Sequence, residues 1–277
     1  MSTNDKLIFI MIDGLRFDTA VDNMGYLHHL VEKGQASRFK VISEVPSMSR
    51  PLYEVLLTGT PPYQNGITSN QIVCSSKEES IFHLTSKNGL KNATASYHWV
   101  SELYHSAPFN PMTDRIKLDG NGAIQNGMFY WEDHYPDTHL FADANYMKTT
   151  KDPDFLYIHS MNVDDDGHKY TADSAGYRNR VIAVDVMLAS ILPDWIEEGY
   201  QIIISADHGM NKDGQHGGTT KEDREVPLFV ISSKLEAGIY EQEVPQLQIA
   251  PLLCKLLNIQ PSPAMQELTI PGLTEGL

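Results

Sequence analysis

Two apolar runs, each closed by an aspartate, limit what this chain can fold into more than any other feature. Lys6-Leu-Ile-Phe-Ile-Met-Ile12 leads into Asp13-Gly14, and Tyr200-Gln-Ile-Ile-Ile-Ser-Ala206 leads into Asp207-His208-Gly209. A short, nearly continuous apolar run reads as a strand buried on both faces, as strands of a largely parallel sheet are. Open α/β sheets hold their ligands just outside the carboxyl ends of such strands. A carboxylate at one strand end, and a carboxylate beside an imidazole at another, therefore point to a metal centre at the top of a sheet.

Further strand-like runs alternate with helical patterns over most of the length, which favours an α/β fold with a largely parallel sheet. Strands are expected at residues 39–42, 93–99, 154–159 and 227–231. Helices are expected at 24–32, 51–57, 80–87, 174–195 and 246–257. The stretch 101–138 differs: it is rich in proline, glycine and aromatic residues and too long for a plain connection. It reads either as a cap inserted in one α/β domain or as an aromatic patch packed on the core.

The 277 residues can bury a substantial core. Acidic residues number 36 against 21 basic ones, a formal net charge of −15, which argues against broad binding to nucleic acid or anionic membrane. An anionic small molecule stays open, because metal ions can dominate the local field. Cys74 and Cys254 lie far apart and outside any metal spacing, so they read as two small buried hydrophobes, with a single disulfide as the alternative. No signal-peptide pattern precedes the first strand, and no apolar stretch approaches the ~20 residues that span a bilayer. The cytoplasm is thus the expected compartment, Asn92-Ala-Thr94 an incidental sequon, and homo-oligomer formation is left open.

Five segments can converge on one sheet edge. They are Asp13; Pro46-Ser-Met-Ser-Arg-Pro51, with Ser49 near a helix start; Asp164-Asp-Asp-Gly-His168-Lys-Tyr170; Asp207-His208-Gly209; and Gln215-His216-Gly217-Gly218. Mixed carboxylate and imidazole donors suit Zn²⁺ or Mn²⁺ better than Mg²⁺ or Ca²⁺. There are enough donors for two ions, the arrangement that clamps the attacking and leaving oxygens of an in-line displacement. Singly, each residue has an ordinary role: Asp13 in a turn, Ser49 as an N-cap, the three aspartates in a solvated loop. Asp207, His208 and His216 resist that reading, since two imidazoles and a carboxylate so close in sequence are costly to place without a use.

In this order the segments resemble the type I phosphodiesterase/nucleotide pyrophosphatase family of the alkaline phosphatase superfamily, over nearly the whole chain apart from 101–138. The family's strand-ending Asp-Gly matches Asp13-Gly14, and its Pro-Thr-x-Thr-x-Pro-Asn matches Pro46-Ser-Met-Ser-Arg-Pro-Leu52, with Ser49 at the nucleophile and Leu52 at the asparagine. Thr58-Gly59 with Gly66-Ile-Thr-Ser-Asn70 matches its Thr-Gly…Gly-Ile-x-x-Asn. Asp164 and His168 match Asp-x-x-x-His, with Asp165 and Asp166 as competing candidates. Asp207–Met210 is the family's Asp-His-Gly-Met, the shorter microbial members have a counterpart of His216, and Gln248-Ile-Ala-Pro-Leu-Leu253 resembles a late helix.

The resemblance implies one alkaline phosphatase-like domain over 1–277, an α/β three-layer sandwich with a mostly parallel central sheet and a small cap inserted at about 101–138. It implies two divalent ions, Zn²⁺ or Mn²⁺, one held by Asp13, Ser49, Asp207 and His208 and one by Asp164, His168 and His216. It implies hydrolysis of a small phosphodiester or pyrophosphate through a phosphoserine on Ser49, with Asn70 donating to a phosphoryl oxygen. Runners-up are phosphonoacetate hydrolase-like C–P cleavage and a phosphomonoesterase, and, from another class, a non-catalytic metal-binding module. Acyl transfer by a Ser/His/Asp triad lacks its Gly-x-Ser-x-Gly elbow, and a dinucleotide-binding oxidoreductase lacks Gly-x-Gly-x-x-Gly after the first strand. The cap is expected to set the leaving group.

Overall fold

The computed structural model describes residues 5–274. Its apolar runs form a ten-stranded sheet: β1 Lys6–Ile12, β2 Ser37–Ile42, β3 Asn92–Tyr97, β4 Ile116–Lys117, β5 Asn126–Tyr130, β6 Phe155–Ser160, β7 Tyr200–Ser205, β8 Glu225–Ile231, β9 Gly238–Ile239 and β10 Val244–Pro245. The order is β10-β2-β8-β7-β1-β6-β3-β5-β4, with β9 also beside β2. Strands β7, β1, β6, β3 and β5 run parallel. Strand β8 is antiparallel to both β2 and β7, and β4 to β5. This is the mixed, mostly parallel α/β sheet that the sequence indicates. Successive strand residues face opposite sides, so the burial of every residue from Leu7 to Ile12 and from Phe155 to Ser160 means that both faces are covered at the centre.

This topology delivers the chemistry to one edge. Strand β1 lies between β6 and β7, with Met11 level with His159 on one side and Ser205 on the other. All three therefore end together, and Asp13, the helix Asn162–Tyr170 and Asp207 follow directly. Two antiparallel steps through β8 leave β2 pointing the same way as β7, so the helix Ser49–Thr58 after β2 also starts at that edge. Ser43 Oγ and Gln246 Nε2 both donate to the Asp207 carbonyl, each at 2.6 Å, fastening this side of the edge together.

Several elements depart from the sequence expectation. Strand β3 stops at Tyr97 and His98–Tyr104 is a helix. The three-aspartate run is helical, with Asp164 and Asp166 buried rather than solvated, because its carboxylates meet partners from other elements that no local pattern reveals. The expected 246–257 helix is a 3₁₀ turn, Gln246–Gln248, followed by Ile249–Leu256, with Pro251 in the first turn where no intrahelical N–H is lost. Leu52, at the position of the family's asparagine, is buried with Val55 and Leu247. Cys254 is buried as expected, but Cys74 is exposed on the connection between Asn70 and Ser80, and both are free.

Residues 101–138 do not form a separate layer: β5 joins the sheet beside β3, and Phe129 and Tyr130 are core. Gln125, Asn126 and Gly127 break the apolar run, which is why the strand is hard to see in sequence. The stretch ends in the helix Asp137–Lys151, whose buried face joins the polar Asp137 and Lys148 to Leu140, Phe141, Ala144 and Met147. Among the described residues no helix is long and apolar enough to cross a membrane.

The helix that begins at Ser49 is buried over its whole length, including Glu54. The Glu54 carboxyl accepts from Ser76 Oγ and, at 2.6 Å, from Tyr104 OH. Burial nevertheless dominates and lifts its pKa from 4.5 to about 7. A pKa raised in the folded state gives stability that is full below the unfolded value and is lost as pH rises through the folded one. Urea unfolding of the wild type should therefore show stability falling between pH 5 and pH 8, and Glu54→Gln should flatten that slope. The scale is about 3 kcal/mol at most, from 1.36 kcal/mol per pKa unit; an unchanged slope in the variant would exclude Glu54 as its source.

Candidate metal centre

Asp13, Asp164 and Asp207, all buried, meet where β1, β6 and β7 end. Two glycines make the approach possible. Gly14 has φ of 69°, and a Cβ there would lie 2.9 Å from Asp164 Cα, while a Cβ on Gly209 would lie 2.1 Å from the Glu222 carbonyl oxygen. Gly14 N–H also donates to Asp207 Oδ1 at 3.2 Å, tying the two strand ends together.

Each of the three expected histidines has its Nδ1 against a backbone carbonyl: His208 on Gly209 at 2.8 Å, His216 on Ser47 at 2.9 Å and His168 on Gly214 at 2.8 Å. A carbonyl only accepts, so Nδ1 carries a proton and Nε2 is the nitrogen left to bind an ion. Those Nε2 atoms face carboxylates. His208 Nε2 is 3.4 Å from Asp13 Oδ1 and 3.3 Å from Asp207 Oδ2. His168 Nε2 is 3.3 Å from Asp164 Oδ2, and His216 Nε2 is 3.6 Å from Asp164 Oδ1. Nitrogen and carboxylate oxygens converging in this way suit a shared cation, and an N–H held by a carbonyl is the usual support of a metal-bound imidazole.

Two donor groups result: Asp13, Asp207 and His208, and Asp164, His208 and His216. By close approach His208 faces both, and its ring stacks on His216 at 3.7 Å. The second group has His208 where the resemblance implies His168, whose Nε2 meets Asp164 at Oδ2 while that of His216 meets it at Oδ1. Asp13 Oδ1, Asp164 Oδ1 and Asp207 Oδ2 are buried without a hydrogen-bond partner, which fits donors meant for ions. Asp165 pairs with Lys169 and Asp166 with Arg180, so those two carboxylates are already engaged.

Electrostatics agree with this fit. Burial, then the Asp207 and Asp164 charges, push Asp13 well above the usual carboxylate range. Burial, then Asp164, lifts Asp207 to about 8. Burial also acts on Asp164, but its bond to His168 and the nearby His208 and His216 hold it below the usual value. The bond to Asp164 raises His168 to about 9 in the absence of an ion, whereas burial holds His208 near 3.

Ser49 Oγ lies 3.1 Å from His208 Nε2, placing the hydroxyl at the first donor group. Asn70 Oδ1 accepts from the Arg50 N–H at 3.0 Å, so its Nδ2 is the end left for an oxygen acceptor. The following Arg50 is buried, paired with Glu102 at 2.6 Å and with its guanidinium 4.6 Å from the Trp99 ring centre, which fixes the helix start.

Sequence reasoning missed Tyr53 and His159. Both bond to Asp13 Oδ2, Tyr53 through its hydroxyl and His159 through Nε2 at 3.1 Å, leaving Oδ1 free. Burial keeps His159 neutral, at about 3, and raises the Tyr53 phenol, so each donates to the carboxylate. The only available signal was spacing: Tyr53 lies one helical turn after Ser49, so its side chain shares that face.

The type I phosphodiesterase / nucleotide pyrophosphatase family matches residues 7–217. Curated proteins similar to the chain include GPI ethanolamine phosphate transferase 2 of Candida albicans, 25% identical over 92% of this chain and 30% of that protein. GPI ethanolamine phosphate transferase 3 of Saccharomyces cerevisiae is 26% identical over 83% of this chain and 23% of its own length. The catalytic subunit of GPI ethanolamine phosphate transferase 2 of Homo sapiens is 23% identical, over 83% and 24%. The chain thus spans about a third or less of these relatives. Among solved structures, murine ectonucleotide pyrophosphatase / phosphodiesterase 5 has a TM-score of 0.74 at 13% identity, covering 93% of this chain and 96% of that one. BT1596, a 2-O GAG sulfatase, has a TM-score of 0.68 at 14% identity, covering 94% and 72%. At such identities these matches show a shared fold.

Without ions at pH 7, His168 and Asp207 hold protons that ion binding must displace, given values of about 9 and 8. Titration with Zn²⁺ or Mn²⁺ in buffers of different ionisation enthalpy should therefore release at least about two protons per chain, with affinity rising toward pH 9. Release of none would overturn the donor assignment. Tyr53→Phe should fold normally yet weaken metal binding about tenfold by the same titration, since one of the two bonds orienting Asp13 is gone.

Proposed function

The chain belongs to the type I phosphodiesterase / nucleotide pyrophosphatase family, and from that premise we propose a metal-dependent phosphoric ester hydrolase of the phosphodiesterase type acting through a phosphoserine on Ser49. One observation carries this reading: the Ser49 hydroxyl sits 3.1 Å from His208 Nε2, an atom that also faces Asp13 and Asp207. A serine hydroxyl is a weak nucleophile and needs an activating environment. Divalent ions held by the two donor groups would supply Lewis-acid stabilisation and a lowered pKa for an attacking oxygen.

The protein's own groups supply position. Ser49 opens a helix, where first-turn N–H groups lack intrahelical partners and favour phosphoryl oxygens. Asn70 Nδ2 is the side-chain donor for one of those oxygens. Ser49 Oγ bonds to phosphorus as the bond to the leaving alcohol breaks, and the serine proton ends on that alcohol. Water then cleaves the phosphoserine and restores the hydroxyl.

A second reading keeps the first half-reaction and changes the acceptor. The curated relatives are named as ethanolamine phosphate transferases, which favours an alcohol in place of water. Both readings involve two displacements at phosphorus, so a chiral phosphodiester should react with retention, whereas direct attack by water would invert. Adding a simple alcohol during turnover separates the two, since only transfer yields the new diester.

Ser49→Ala should lower kcat/KM on bis(4-nitrophenyl) phosphate about a thousandfold or more while metal content by elemental analysis stays at the wild-type level. A variant that retains turnover would overturn the nucleophile. His216→Ala should lower the occupancy of one ion, and full occupancy would move that donor elsewhere.

A further inference from the structure

Between β7 and the helix Lys221–Arg224 the chain forms neither helix nor strand, and this stretch carries His216. Its path up to His216 is set by Asn211 and His168. Asn211 N–H donates to the Gln215 carbonyl at 2.9 Å, Asn211 Oδ1 accepts from Gln215 N–H at 3.1 Å, and the Gly214 carbonyl accepts from His168 Nδ1 at 2.8 Å. From His216 onward the support narrows to one residue. Among the described residues, the hydrogen bonds made by 216–219 both go to Ser47. His216 Nδ1 donates to the Ser47 carbonyl at 2.9 Å, and Ser47 Oγ donates to the Gly218 carbonyl at 2.9 Å.

Ser47 is buried and stands two residues before Ser49, in a tight turn where Met48 N–H donates to the Pro46 carbonyl at 2.8 Å. Ser49 Oγ lies 3.1 Å from His208 Nε2, and the His208 ring stacks on that of His216 at 3.7 Å. One short segment therefore meets both imidazoles of the second donor group, His208 through Ser49 and His216 through Ser47. A carbonyl on Nδ1 sets the rotation of the His216 ring, but the ring still rides on its backbone. Gly218 and Thr219 beyond it are exposed, and an exposed loop with few contacts opens readily. The bond at Gly218 is what restrains it.

The geometry points to Ser47 as a positioning residue for the metal centre. Its carbonyl aims the His216 ring so that Nε2 comes 3.6 Å from Asp164 Oδ1, and its hydroxyl fixes the backbone that bears the ring. The second donor group is thereby built onto the segment that presents the nucleophile, and the hydroxyl and the imidazole share one frame. The assignment rests on the metal-dependent reading above, and Ser47 acts through His216 rather than on the substrate.

Ser47→Ala removes the hydroxyl and keeps the carbonyl, and the exposed Gly218 takes water as its new partner, so the fold should stand. Ion-free protein is dialysed against buffers of fixed free Zn²⁺ concentration, and ions per chain are counted by elemental analysis. The wild type should fill two sites. In Ser47→Ala one of them should need about tenfold more Zn²⁺ while the other fills as before. Ser47→Thr, which keeps the hydroxyl, should restore most of the loss. In a His216→Ala background, adding Ser47→Ala should shift the filling of the remaining site by less than about twofold, since both changes act on the same site. Wild-type filling in Ser47→Ala, or an equal shift in both backgrounds, would overturn the positioning role. A wild type that fills fewer than two sites overturns the donor groups, and the positioning role with them. The count reads ions and not turnover, so it decides the role of Ser47 whether or not a diester is hydrolysed.

Discussion

Everything at this sheet edge depends on three buried carboxylates brought together by three parallel strands. Asp13, Asp164 and Asp207 are withdrawn from water and repel one another, which is why Asp13 and Asp207 hold their protons so far above the usual range. The histidines offset this only at Asp164, whose carboxyl they hold below the usual range, and leave Asp13 and Asp207 uncompensated. Such a cluster costs stability unless cations complete it. Its survival in the fold is the strongest physical reason to regard it as a metal centre.

The surrounding structure holds this arrangement in place. Backbone carbonyls fix the three imidazole tautomers, and Tyr53 with His159 turns one Asp13 oxygen away from the cluster. Gly14 and Gly209 remove the side chains that would collide with Asp164 and with the Glu222 backbone. The helix bearing Ser49 is tied down by Arg50, Glu102 and Trp99, so the hydroxyl has little freedom to leave the donor group it faces. Preorganisation of this kind lets a weak nucleophile act without reorganising the site at the moment of reaction.

Chemistry and specificity separate along the same edge. The donor groups belong to the elements closing β1, β6 and β7 and would serve any phosphoryl group. Around them stand aromatic residues at the ends of β3 and β5, Tyr97 and Tyr130 among them. Those residues come from the stretch 101–138 and its neighbour β3, the part of the chain expected from the sequence to set the leaving group.

Much of this was legible in the sequence for a physical reason. Strands buried on both faces must be apolar throughout, and ligands collect where such strands end, so Asp13, Asp207 and His208 stood out without coordinates. Ser49, Asn70, Asp164, His168 and His216 became readable only as a set, through the order in which they occur. Among the three consecutive aspartates the four-residue spacing to His168 favoured Asp164, and the structure adds the physical reason, since Lys169 and Arg180 engage the other two. The sequence could not show Tyr53 or His159, whose roles consist of contacts made across the fold, two bonds to one oxygen of Asp13. Local pattern determined the strands and the chemistry at their ends; only packing between distant segments decided how that chemistry is oriented and what surrounds it.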